Sequence, residues 1–114
     1  MCRLPAGSPL PTWASQATGF LTVSRTPEEL SITADQHVVP AETRCEREYH
    51  PIRVRGTLPT NLVGILLAIA DPLAAAGISI FAISTYDTDY VLVKSADLER
   101  AIAALEEAGH EVTQ

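Results

Sequence analysis

The stretch AGISIFAISTYDTDYVLVK, Ala76 to Lys94, is where the chain is most ordered in its patterning. Ile78-Ser79-Ile80-Phe81-Ala82-Ile83-Ser84-Thr85 is too apolar on both alternating faces to lie at an open sheet edge. Tyr90-Val91-Leu92-Val93 follows directly after the polar break Asp87-Thr88, so the two runs read as a hairpin. Upstream, Leu62, Ile65, Leu66, Ile69 and Leu73 recur at helical spacing, with Thr60 or Asn61 as N-cap and Gly77 at the exit. Pro72 removes one backbone donor from that helix and predicts a kink or a tightened last turn. Before it, Ile52-Arg53-Val54-Arg55 alternates with period two and predicts a strand ended by Gly56 and Pro59. Downstream, Ser95 starts a second helix with Leu98, Ala101, Ile102 and Leu105 on one stripe and Gly109 at its exit. Glu111-Val112-Thr113 completes the pattern as a short last strand. The order from Ile52 onward is βαββαβ, an α+β ferredoxin-like unit with an antiparallel sheet covered on one face by two helices.

The first half is less regular. Residues 1–19 are rich in Pro, Ala, Gly, Ser and Thr and read as a surface segment pinned by Trp13, with Cys2-Arg3-Leu4 as a fragment of strand. Phe20 to Ser24 and Leu30 to Thr33 form a second hairpin around Arg25 to Glu29. Residues 34–50 are polar and read as a solvated connector. The expected organisation is therefore a segment 1–19, a strand-rich part 20–50 and a ferredoxin-like domain 51–114.

Length and charge exclude several classes of function. A chain of 114 residues buries roughly two thirds of its extended surface, enough for one core but not for separate cofactor and substrate domains. Fourteen acidic against eight basic side chains, net charge -6, give no basic face for nucleic acid or an anionic membrane. Cys2 and Cys45 read as isolated thiols in a reducing compartment, and no apolar run is long enough for a signal segment or a membrane span, so a cytoplasmic protein is expected. No nucleophile stands beside a base and no glycine-rich phosphate loop appears, so no catalysis is expected. No cofactor or metal is expected either. Asp87 and Asp89 are too few for a hard cation, and His37, His50 and His110 share no ligand spacing.

Two places could bind a ligand. Gly64, in the first turn of the first helix, either opens backbone N–H donors to a carboxylate or simply permits close packing. Ser84-Thr85-Tyr86-Asp87-Thr88-Asp89 combines two carboxylates with three hydroxyls that suit an ammonium or guanidinium group. The same run also suits a plain Asx-type turn.

Gly64-Ile65-Leu66 together with the whole of Ala76 to Lys94 closely resembles the ACT domain, in the subgroup similar to the domains of the eukaryotic cytosolic arginine sensor. The resemblance covers about residues 51–110, and residues 20–39 resemble the amino-terminal part of small bacterial proteins of this subgroup, a partial ACT-like half. Where the subgroup commonly has Trp before the first strand, this chain has Tyr49-His50-Pro51. The resemblance implies regulatory binding of an amino acid between side-by-side ACT units, in a homodimer or other homo-oligomer. It implies a site made of Asn61, Leu62, Val63, Gly64 and Ile65 from the loop, and of Ser84, Thr85, Tyr86, Asp87, Thr88 and Asp89 from the strand end. The alternative is a protein-interaction or oligomerisation module whose pocket is vestigial.

Overall fold

In the computed structural model, residues 1–54 and 64–113 are described, and they fall into two units, Met1–Arg47 and Glu48–Gln114. The second unit carries three strands, β4 (Tyr49–Arg53), β5 (Ile80–Ser84) and β6 (Asp89–Lys94), antiparallel in the order β4-β6-β5. Alternation places Ile52, Ile80, Val91 and Val93 on one face. They pack there with Leu73 of α2 (Ile65–Ala75) and Ala101 and Leu105 of α3 (Leu98–Glu107) into a single core. The opposite face carries Pro51, Leu92 and Phe81 side by side in register, with the Tyr49 ring 5.1 Å from that of Phe81.

Both helices end in the same backbone device. Gly77 and Gly109 adopt left-handed φ of 74° and 99°. Their N–H groups donate to Ala74 and Glu106 carbonyls, and the next residues, Ile78 and His110, donate back to Leu73 and Leu105. These paired bonds occupy carbonyls that a helix end otherwise leaves bare. Arg100 of α3 donates through Nη2 to the Ala76 carbonyl at 2.7 Å, placing its cation where the α2 dipole is negative.

The α2 helix runs through Pro72 without ending there. Proline has no N–H for the carbonyl four residues earlier, which is that of Ala68. The His110 ring supplies the substitute: its Nε2 lies 2.9 Å from the Ala68 oxygen. A carbonyl only accepts, so Nε2 carries the proton that makes this bond. His110 therefore serves α2 as well as the exit of its own helix.

Residues 111–113 are not a strand, which corrects the expected last β element. The hydrogen-bond phase of β4 is fixed by its pairing with β6. Ser95 donates to Glu48 and Val54 donates to Asp89, so positions 48, 50, 52 and 54 face β6. Positions 49, 51 and 53 face outward, and the middle one is Pro51, which has no donor.

The first unit is a sheet of β1 (Cys2–Pro5), β3 (Glu29–Ala34) and β2 (Leu21–Arg25), with β3 central and both neighbours antiparallel. Leu30 and Ile32 are fully buried against Ala14 of the short helix α1 (Thr12–Ser15), with Trp13 and Leu4 packed beside them. Trp13 thus anchors its segment as expected, and the strand fragment read at Cys2-Arg3-Leu4 is a strand of this sheet. The β2–β3 hairpin matches expectation, closed by Thr26, whose Oγ1 accepts from the Glu28 and Glu29 amides.

The cysteines are not isolated. Cys2 and Cys45 form a disulfide across a short antiparallel pairing in which Arg3 donates to Arg44 and Glu46 to Met1. A separation of 43 residues hid the pair, and the argument for a reducing compartment falls with it. Among the described residues no helix is long and apolar enough to cross a membrane.

Candidate functional site

The polar run after β5 is a tightly bonded turn at one end of the second sheet. Thr85 donates its amide to the Thr88 carbonyl at 2.8 Å, and the Thr88 amide donates back to Thr85 Oγ1 at 3.3 Å. Ser84 and Asp89 face each other as a cross-strand pair, the Ser84 hydroxyl donating to Asp89 Oδ1 at 2.6 Å. Asp89 is thereby committed in part to the turn. Tyr86 and Asp87 stand exposed at its tip, Tyr86 at 89%.

Thr88 is the exception in this exposed run, at 6% accessibility. Its hydroxyl donates to the Val54 carbonyl at 2.9 Å, and the Val54 amide donates to Asp89 at 3.0 Å. The turn is therefore bolted to Val54, the last described residue before Gly64 and α2. Asn61, Leu62 and Val63 lie outside the described residues. Gly64 is the N-cap of α2 in left-handed conformation, φ 79°, and its carbonyl accepts from Ala68 at 2.9 Å. A methyl group at Gly64 would meet nothing within 4 Å. The glycine is there for its backbone angle, and the packing explanation has no support among the described residues. Ile65 opens the helix, half-buried.

The turn offers the carboxylates of Asp87 and Asp89 and the hydroxyls of Ser84 and Thr85, and the start of α2 offers the positive end of an 11-residue helix. Among the described residues no group of three or more His, Cys, Asp or Glu could hold a metal ion. The signal for Thr88 was present in the sequence only as one hydroxyl among three. Its burial, and so its distinct role, follows from the approach of β4 to the turn.

The ACT domain family profile matches residues 44–107, and the profile of a second family's N-terminal domain matches residues 1–42. A crystal structure of a protein from Agobacterium tumefaciens is 36% identical with a TM-score of 0.91, covering 98% of this chain and 83% of that one. A protein of unknown function from Vibrio cholerae, described as a possible transport protein, is 24% identical with a TM-score of 0.71, covering 96% and 81%. That second likeness concerns the fold alone. None of the curated proteins matches. ACT domains are in general regulatory modules that bind small molecules. This chain belongs to the ACT domain family, with its βαββα unit as the ACT domain and a separate three-stranded N-terminal unit.

Proposed function

We propose that this protein binds an amino acid and acts as a regulatory sensor without catalysing a reaction. The ligand's carboxylate sits at the Gly64–Ile65 start of α2, and its ammonium or cationic side chain sits at Asp87 and Asp89 with Thr85. The observation that carries this reading is the buried Thr88 hydroxyl on the Val54 carbonyl, which fastens the acidic turn to the chain entering the loop. A second ACT unit, from another copy, completes the pocket, so occupancy is coupled to association.

Thermal unfolding in the presence of each of the twenty amino acids tests the reading. A ligand at one hundred times its Kd stabilises by about 2.7 kcal/mol. Asp87→Asn, at an exposed tip, leaves the fold intact and removes most of that shift. Gly64→Val is a poor probe because a β-branched residue at φ 79° strains the backbone by itself. If no amino acid stabilises the protein at millimolar concentration, the domain is a docking module instead.

A further inference from the structure

We propose that Arg3 and Arg44, held side by side by the Cys2–Cys45 disulfide, form with Ser31 a site in the first unit for a phosphate dianion, free or as a monoester. The pairing around the disulfide fixes the register. Cys2 stands opposite Cys45, so Arg3 stands opposite Arg44, and the Arg3 amide donates to the Arg44 carbonyl at 3.0 Å. Directly opposite residues of such a hydrogen-bonded antiparallel pair have Cα atoms about 5.5 Å apart and side chains on the same face. The two guanidinium stems therefore leave the sheet as immediate neighbours. Like charges so placed are destabilising, and the covalent bond at the adjacent positions keeps them together.

The sheet extends this pair into a row. Arg3 faces Ser31 across β1 and β3, and Ser31 faces Ser24 across β3 and β2. Arg44, Arg3, Ser31 and Ser24 thus lie in line, three strand spacings or about 14 Å from end to end. Leu4, Leu30 and Ile32 alternate with them and pack on the opposite face with Ala14, so the row looks away from the core. Arg3, Arg44 and Ser24 are exposed and Ser31 is half-buried. Arg3 donates one N–H to the Glu28 carbonyl at 3.3 Å and keeps its other donors. Among the described residues no carboxylate forms an ion pair with either guanidinium of the row.

The donor set selects the ligand. Two adjacent guanidinium forks present paired N–H donors to a tetrahedral dianion, whose oxygens accept from both at once, whereas a planar carboxylate fills only one fork. The Ser31 hydroxyl adds a donor beside Arg3. Two cations match the charge of one phosphate and are too few for a nucleic acid, where affinity accumulates over many. Glu29 and Glu46 stand on the same face, two residues along their strands from Ser31 and Arg44, and bracket the row. At about 7 Å along the strand, their repulsion is weaker than the attraction of guanidinium groups in contact with the anion. The phosphate therefore sits over the Arg3–Arg44 pair, and an ester substituent extends toward Ser24.

Titration calorimetry of the full oxidised chain with inorganic phosphate, β-glycerophosphate and glycerate tests the site. Both phosphates are expected to bind at least about tenfold more tightly than glycerate, since only the dianion engages both forks, and the tighter of the two identifies the free or the esterified form. Arg44→Gln, at an exposed position outside the core, weakens phosphate at least about tenfold. Glu46→Gln tightens it by removing a neighbouring negative charge. Replacing both cysteines with Ser weakens phosphate although both arginines remain. Should that variant not fold, phosphate-induced shifts confined to the Arg3 and Arg44 Nε–Hε resonances of the native chain support the same site. Asp87→Asn leaves phosphate binding unchanged, so failure of the amino-acid reading and failure of this one are distinguishable. No phosphate binding at millimolar concentration, equal affinity for glycerate, full binding by Arg44→Gln, or shifts at other arginines would overturn it.

Discussion

The bond between His110 and Ala68 should exist for one reason, the missing N–H of Pro72, and a double-mutant cycle isolates that reason. In the native background, His110→Ala removes a 2.9 Å hydrogen bond in a half-exposed place and leaves the Ala68 carbonyl to water. The expected loss is about 1 kcal/mol, the net worth of an ordinary intramolecular hydrogen bond. Pro72→Ala restores a backbone donor to the same carbonyl and removes the ring from the helix interior, a gain of up to about 3 kcal/mol on helix propensity. In that background Ala68 has its own partner within the helix, so His110→Ala should cost only a few tenths of a kcal/mol for lost packing. The coupling between the two sites is then just under about 1 kcal/mol, in the sense that Pro72→Ala softens the cost of His110→Ala and gains more in its background. Urea unfolding followed by far-ultraviolet circular dichroism gives the four stabilities, and hydrogen exchange of the Leu67–Leu73 amides assigns the change to α2. Equal cost of His110→Ala in both backgrounds would refute the substitution of a ring donor for a backbone one.

Four further outcomes follow from the same structure. Reducing Cys2–Cys45, or replacing both with Ser, releases a loop of 43 residues and should destabilise the first unit by about 4 kcal/mol on the chain-entropy estimate, read from Trp13 fluorescence in urea. Thr88→Val leaves the Val54 carbonyl unpaired beside an apolar group; a loss of about 1–3 kcal/mol and weaker amino-acid binding are expected, and an unchanged midpoint would show the bolt to be idle. Gly77→Ala forces a methyl-bearing residue into φ 74° and should lower stability by about 1 kcal/mol in the same urea assay. Arg100→Met keeps most of the packing but frees the Ala76 carbonyl, for a loss of about 1 kcal/mol by thermal unfolding.

Helices α2 and α3 and both hairpins could be read directly because each rests on local periodicity. Leu66, Ile69 and Leu73 come round to the same side of a helix whatever lies opposite, and the alternation around Ile80 and Val91 needs only its own strand. The two stretches proposed to bind were equally visible, since a glycine before a helix and a cluster of hydroxyls and acids are local features. What could not be read was the partner of each residue across the fold. Cys2 and Cys45 are 43 positions apart, and His110 and Ala68 are 42 apart. Nothing in either neighbourhood announces the other.

Register makes the same point. Glu111-Val112-Thr113 has reasonable strand composition, and Pro51 sits in a run that alternates well. Whether a proline blocks an edge depends on which side of the strand its nitrogen faces, and that is set by pairing with β6, not by composition. Secondary structure was thus written in the spacing of apolar residues, because burial of one face is a short-range demand. The disulfide and the rescue of the Ala68 carbonyl were decided only when the elements packed, because each depends on where two distant backbones meet.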